Sequence, residues 1–311
     1  AIAAPHPHRA VAVRPPPGEV AQLLPAHRVG GEAVEDAGEA VAVIVARSKA
    51  AAQDAVELVD VDYDLLPAVL DMEEAVAEGA QLTHDHLESN RSFHFVFESG
   101  DAGTGQHTHD AFRDAEVVVS RRFVQQRLIP AFMEPRSVVV DPTGEQITMW
   151  SATQIPHILR FLLAAVTGIS ESKVRVIAPD VGGGFGGKLQ STPEEFITFL
   201  LARRLGKPVK YTETRSESLV AAHHGRDQWQ KLTLAATADG TVTGLKVELL
   251  ANLGAYVALV GGGVPVLGAF MFNAIYKFPA YHFACQTVLT NTAWTDAYRG
   301  AGRPEATFGI E

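Results

Sequence analysis

A single cysteine, Cys285, stands among 311 residues. That scarcity excludes an internal disulfide framework, a C-x-x-C redox pair and a cysteine-ligated iron–sulfur cluster held by this chain alone. Basic clusters are missing too. Lys and Arg number 26 against 36 Asp and Glu, a net charge of −10, so nothing offers a surface for nucleic acid. The chain also lacks an uninterrupted membrane-spanning run. Residues 253–272 carry no charge over 20 positions, but five glycines and Pro265 break them, which reads as a buried loop or strand pair beside a pocket. Residues 1–17 have neither the basic head nor the continuous apolar core of a signal peptide, and without an initiator Met the amino terminus looks cut. The histidine pairs His6/His8, His84/His86, His107/His109 and His223/His224 do not match structural zinc spacing and read as solvated loop residues.

What is present describes a globular protein of about two domains: 47% hydrophobic and 20% charged residues over a length that can bury a substantial core. Residues 41–47 read as a buried strand, Ser48 as the cap of a helix, and 59–63 as a second strand, together a small α/β unit. Residues 78–109, rich in His, Glu, Ser and Gly, read as an irregular linker. A second unit begins near Asp110. Strands are expected at 115–124, 137–140 and 146–150, a helix over 156–166 stopped by Gly168, and then a strand, loop, helix and strand over 174–212. Asp239-Gly240 marks a hairpin between 231–236 and 241–250.

The most informative stretch lies in that second run: Asp180-Val181-Gly182-Gly183-Gly184-Phe185-Gly186-Gly187-Lys188, directly after the apolar residues 174–178. Backbone without Cβ atoms can turn sharply and aim several N–H donors at one anionic or carbonyl-bearing group. Gly182, Gly184 and Gly187 spell the dinucleotide fingerprint, yet the helix that should begin at the last glycine is delayed to Pro193, behind a hydroxyl cap at Ser191 or Thr192. Gly182, Gly187 and Lys188 spell a P-loop, yet Leu189 stands where magnesium needs Ser or Thr. A bare packing turn between strand and helix is the plain alternative. Phe185 argues against it, since an aromatic among glycines suits the wall of a pocket that faces a flat ligand.

Several separated motifs share one origin: Pro130-Ala131-Phe132-Met133-Glu134-Pro135-Arg136, Ser151-Ala152-Thr153-Gln154, Asp180 to Lys188, Asn252-Leu253-Gly254-Ala255-Tyr256, and Asp296-Ala297-Tyr298-Arg299-Gly300-Ala301-Gly302-Arg303-Pro304-Glu305. In order and spacing they resemble the large, molybdopterin-binding subunit of the molybdenum hydroxylases, the family of xanthine dehydrogenase, aldehyde oxidase and aerobic carbon monoxide dehydrogenase. The resemblance implies an α+β fold, with a truncated α/β hammerhead domain over 1–77, a linker over 78–109 and the first molybdopterin-binding domain over 110–311. It implies a molybdenum–molybdopterin cofactor, in the cytosine dinucleotide form of split bacterial enzymes, with FAD and 2Fe-2S clusters on partner subunits of a cytoplasmic, higher-order oligomer.

Residue by residue, the resemblance places Gln154 near an oxo ligand of the metal, where an amide donates without bringing charge. Gly184, Phe185 and Gly186 fall against the metal and pterin, Arg299 near the pterin, and Leu189, Tyr298 and Gly300 on the substrate side; no protein group ligates the metal directly. The loop Gly300-Ala301-Gly302-Arg303 lacks the cysteine that bridges copper in carbon monoxide oxidation. Leu189 stands where purine hydroxylases carry a glutamate, and Gly268 or a neighbour where they carry an arginine. Aldehydes or aromatic N-heterocycles are therefore the expected substrates, hydroxylated with water-derived oxygen, and a copper-less carbon monoxide dehydrogenase-like subunit of other substrate is the alternative. The general-base glutamate of the family is expected downstream of Glu311, so no catalytic residue is assigned and the fragment is expected to be inactive alone. A non-catalytic module holding another anion, or a nucleotide-dependent dehydrogenase, would not bring Gln154 and Arg299 together beside Phe185.

Overall fold

The computed structural model describes residues 8–14, 33–34, 36–99 and 106–311. His6 lies outside them. The first elements are β1 (His8–Arg14), β2 (Ala33–Val34), α1 (Lys49–Val56) and β3 (Asp60–Leu65), with the strands in an antiparallel sheet ordered β2-β1-β3. Ser48 caps α1, its hydroxyl accepting from Ala51 N–H at 3.2 Å. Residues 41–47 are not a strand. Val43 is exposed, and this apolar run finds no ladder partner among the described residues.

The chain continues through α2 (Met72–Ala75), β4 (Arg91–Glu98), α3 (Gln106–Arg113) and β5 (Val117–Gln125). The stretch 78–109 is thus not an irregular linker throughout. Phe93, Phe95 and Phe97 alternate toward the core, and β4 closes one edge of a five-stranded sheet. Next come β6 (Ser137–Asp141), β7 (Ile147–Ser151), α4 (Pro156–Thr167), β8 (Val174–Ile177), α5 (Pro193–Leu205), β9 (Val209–Thr212) and α6 (Arg215–Ala221). The last group is β10 (Gln228–Ala236), β11 (Val242–Gly254), α7 (Gly263–Leu267), β12 (Ala280–Leu289) and α8 (Arg303–Ile310).

Two sheets carry this larger part. One runs β4-β12-β11-β10-β5 and is antiparallel except for the β11–β12 pair; the other runs β8-β7-β6-β9, with β7 and β8 parallel. The first packs its core around Leu245, Val247, Phe272 and Phe283, the second around Val140, Met149, Leu163 and Phe199. Val69 and Ala75 lie against Leu250 and Val288, which ties the segment after β3 to the five-stranded sheet. Asp239-Gly240 turns the β10–β11 hairpin as its sequence requires. The uncharged residues after Gly254 form a loop and the short α7 in place of a strand pair. No helix among the described residues is long and apolar enough to cross a membrane.

Candidate functional site

A parallel strand pair joined by a helix places its ligand-facing loops beyond the carboxyl ends of the strands. Here β7 runs into Gln154, α4 crosses over, and β8 runs into the glycine loop, so the two segments arrive side by side. Gln154 N–H donates to Lys188 O at 2.9 Å, and its side-chain Oε1 accepts from Gly186 N–H at 3.1 Å and Lys188 N–H at 3.2 Å. Backbone N–H groups can only donate, so the carboxamide oxygen must face the loop and the NH2 must face away. Gln154 is exposed between the buried Thr153 and Ile155, and among the described residues its NH2 has no protein partner. The loop can close this tightly because it is glycine: a Cβ at Gly184 would overlap Gln154 Oε1 and stand 2.8 Å from Cδ. At Gly186, φ is +101° and a Cβ would overlap the Ala297 carbonyl oxygen.

Between these glycines Phe185 adopts φ +54°, a left-handed conformation costly for an aromatic residue, and remains 44% exposed. Its carbonyl accepts from Arg299 N–H at 2.9 Å, and the Arg299 guanidinium lies 5.7 Å from its ring centre. Three distant sequence segments therefore meet: Gln154, Gly184 to Gly186, and Arg299. Leu189, half-buried, donates its N–H to Gly186 O at 2.9 Å. Tyr298 is half-buried with its ring under the Arg226 guanidinium at 4.8 Å, and Gly300 closes the turn into α8. One cavity lies beneath the loop, lined by residues including Ser151, Lys188 and Glu195, and a second behind it includes Arg226, Asn252 and Asp296. Phe185 and Arg299 line neither and stand on an open face.

The support is ionic, with the cation buried and the acid partly exposed. Glu134 accepts from Lys188 Nζ at 2.8 Å and from Gly182 N–H at 2.7 Å, bridging two motifs. Burial alone would raise its carboxyl, but the Lys188 ammonium and the Gly182 N–H outweigh burial and hold it below the usual range. Lys188 is completely covered, its ammonium 4.9 Å from the Phe132 ring centre. Gln190 donates to Asp296, and its Oε1 accepts from Leu259 N–H at 3.1 Å; burial raises the Asp296 carboxyl to about 6. His223 is not a solvated loop residue. It is buried against Trp294, and burial lowers it to about 4, so it stays neutral. Neither Glu134 nor Arg226 is singled out by its sequence, and Lys188 only as the lysine of a rejected P-loop. Glu134 and Lys188 lie inside quoted motifs, whereas nothing local marks Arg226.

Glu195 caps α5 by accepting from Thr192 N–H at 2.9 Å, which decides between the two candidate caps, and it also accepts from Ser151 Oγ at 2.5 Å. Burial raises its carboxyl from 4.5 to about 7. The folded state thus binds this proton more tightly than the unfolded chain. The stabilisation is complete below about pH 4.5 and is lost as pH rises through about 7, on the order of 3 kcal/mol at about 1.4 kcal/mol per pH unit. Glu195→Gln keeps an acceptor for Thr192 N–H, turns its NH2 toward the Ser151 hydroxyl, which can accept, and cannot titrate. Its unfolding free energy relative to wild type is expected to climb between pH 5 and 8 in denaturant melts; parallel pH profiles would refute the assignment.

Among the described residues no group of three or more His, Cys, Asp or Glu side chains is placed to hold a metal ion. Residues 83–311 match the family model described as a molybdopterin cofactor-binding domain. The chain is 32% identical to the nicotine 6-hydroxylase large subunit of Paenarthrobacter nicotinovorans, covering 90% of this chain and 34% of that protein. It is 34% identical to the carbon monoxide dehydrogenase large chain of Hydrogenophaga pseudoflava, covering 94% and 38%. Its fold is similar to quinoline 2-oxidoreductase from Pseudomonas putida 86, with a TM-score of 0.82 and 28% identity over 98% of this chain and 43% of that one. The chain therefore spans about a third of the length of the curated relatives it matches.

Proposed function

Because this chain belongs to the molybdopterin cofactor-binding domain family, we propose that the face formed by Gln154, Gly184, Phe185, Gly186 and Arg299 holds the molybdenum–molybdopterin cofactor in the large subunit of a molybdenum hydroxylase. One observation carries the reading: the Gln154 carboxamide is fixed through its oxygen by two loop N–H groups, which leaves a neutral donor pair facing outward beside an aromatic ring and a guanidinium. These groups fit a flat, oxygen-rich ligand. Phe185 offers its face, Arg299 a planar cation for carbonyl or phosphate oxygens, and Gln154 a hydrogen bond to an oxygen at the metal end without added charge. When bound, the cofactor supplies the two-electron oxidation by which a substrate gains a water-derived oxygen. The chain's own residues bind and orient it.

Within this reading Leu189, Tyr298 and Gly300 lie on the substrate side, and the substrate is an aldehyde or aromatic N-heterocycle. The names of two relatives, a nicotine hydroxylase and a quinoline oxidoreductase, support the second class. The loop after Arg299 carries no thiolate, which separates the proposal from copper-dependent carbon monoxide oxidation. Relatives named as large subunits or large chains support an assembly of several subunits; FAD and 2Fe-2S clusters on the partners, a cytosine dinucleotide on the pterin, a higher-order oligomer and a cytoplasmic location complete the proposal. The helix–strand unit before residue 77 corresponds to a hammerhead domain, and residues from 110 onward to the first molybdopterin-binding domain.

The test is the complete protein, purified and assayed for metal and pterin. Stoichiometric molybdenum and pterin are expected; their absence would reject the reading. Gln154→Glu preserves both loop hydrogen bonds and replaces the outward NH2 by an oxygen. It is expected to leave thermal stability near wild type and to lower turnover on the order of 100-fold, the scale of one lost donor at a charged reacting centre.

A further inference from the structure

Two consecutive non-glycine residues, Arg226 and Asp227, adopt left-handed backbone with φ of +69° and +56°. Such conformations persist where the surroundings over-determine them, and here both flanks are pinned. On one side Gly225 pairs with Leu128 through hydrogen bonds of 2.7 and 3.1 Å, and His224 pairs with the segment leading to Arg299, its N–H donating to Trp294 O at 3.0 Å and its carbonyl accepting from Asp296 N–H at 2.8 Å. On the other side Asp227 binds the Arg127 guanidinium and accepts from Asn252 Nδ2 at 2.9 Å.

The consequence is the aim of the Arg226 side chain. It lies almost wholly covered, donates through Nη1 to Glu305 Oε1 at 2.8 Å and through Nη2 to Arg299 O at 2.9 Å, with a longer contact of 3.4 Å to Tyr298 O. Its guanidinium also covers the Tyr298 ring. The Arg299 backbone is therefore gripped from both sides, its N–H by Phe185 O and its carbonyl by Arg226. The Arg299 side chain, by contrast, is exposed.

We infer that Arg226, held by its counterion Glu305, is a positioning residue that fixes the Tyr298–Arg299 backbone and so aims the Arg299 guanidinium at the ligand faced by Phe185. This rests on the cofactor-binding reading above. A fork of several donors is needed because one cation must satisfy a carboxylate and a backbone carbonyl at once; a lysine ammonium at this depth can keep the Glu305 ion pair but cannot span both acceptors.

The experiment uses the complete protein and three variants, Arg226→Lys, Arg299→Met and the double variant, with thermal midpoint and the rate of pterin release, followed by pterin fluorescence, as separate readouts. Arg226→Lys is expected to keep a near wild-type midpoint while releasing pterin roughly tenfold faster, the scale of one charge-assisted hydrogen bond. The double variant is expected to release pterin no faster than Arg299→Met, because Arg226 acts only through Arg299. Wild-type release from Arg226→Lys, or additive acceleration in the double variant, would overturn the assignment and leave Arg226 as a simple buried ion pair. Wild-type protein that carries no pterin would instead reject the cofactor reading itself, and this inference with it.

Discussion

Gly186→Ala is expected to collapse the site and to destabilise the chain by at least about 4 kcal/mol, a large share of the roughly 5–15 kcal/mol that holds a domain folded. Two costs coincide. The residue sits at φ +101°, where an L side chain is strained, and its Cβ would overlap the Ala297 carbonyl oxygen and stand 2.8 Å from the carbonyl carbon. Neither partner can yield by rotating a side chain, because both are backbone. The Ala297 carbonyl also lies 3.4 Å from the buried His223 Nε2, and the next N–H but one, from Arg299, is bound to Phe185. Gly206→Ala is the control: φ is +61° but nothing lies within 4 Å of the added carbon, so only the conformational cost of about 1 kcal/mol applies. Urea unfolding of the two variants separates strain from overlap, and equal midpoints would show that the loop can retreat from the Ala297 segment.

Glu134→Gln should cost about 2–3 kcal/mol. Removing one member of a buried pair leaves the other charge uncompensated, which in a fully buried site costs about 3–5 kcal/mol. The lower figure applies because Glu134 remains 35% exposed and water can reach its side of the pair, whereas the Lys188 side chain is fully covered. An amide can still accept from Gly182 N–H, so the loss isolates the ammonium. The structural effect is local. Glu134 N–H donates to Gly182 O at 3.1 Å while its carboxylate holds Gly182 N–H and Lys188, so both ends of the glycine loop depend on it. Hydrogen exchange at the Gly186 and Lys188 amides should accelerate together with the drop in unfolding free energy. Unchanged protection with full stability would mean that Lys188 finds another partner. Glu134→Gln/Lys188→Met, which removes both charges, should recover part of the loss.

The motifs themselves were legible because their chemistry is local. Five glycines around Phe185 specify an open backbone in any context, and the delayed helix start at Pro193, with Glu195 three residues after its cap, follows from capping rules alone. The alternation of Phe93, Phe95 and Phe97 was equally visible in the sequence, yet the polar residues around it disguised an edge strand as a linker. Residues 41–47 mislead in the opposite direction, since among the described residues their apolar run has no partner strand with which to make a ladder.

By itself the sequence determined that a glycine-framed aromatic could face a flat ligand, because backbone freedom belongs to the residue, whereas the Gln154 carboxamide and the Arg299 guanidinium were singled out only by the resemblance to the molybdenum hydroxylases. Only the tertiary structure decided which way the Gln154 amide faces, that Lys188 is a buried cation neutralised by Glu134, and that Arg226 grips the Arg299 backbone. Those facts depend on groups 32 to 73 positions apart along the chain meeting within hydrogen-bond distance. Such meetings are set by the crossover between parallel β7 and β8 and by the two sheets' packing, which no local pattern encodes.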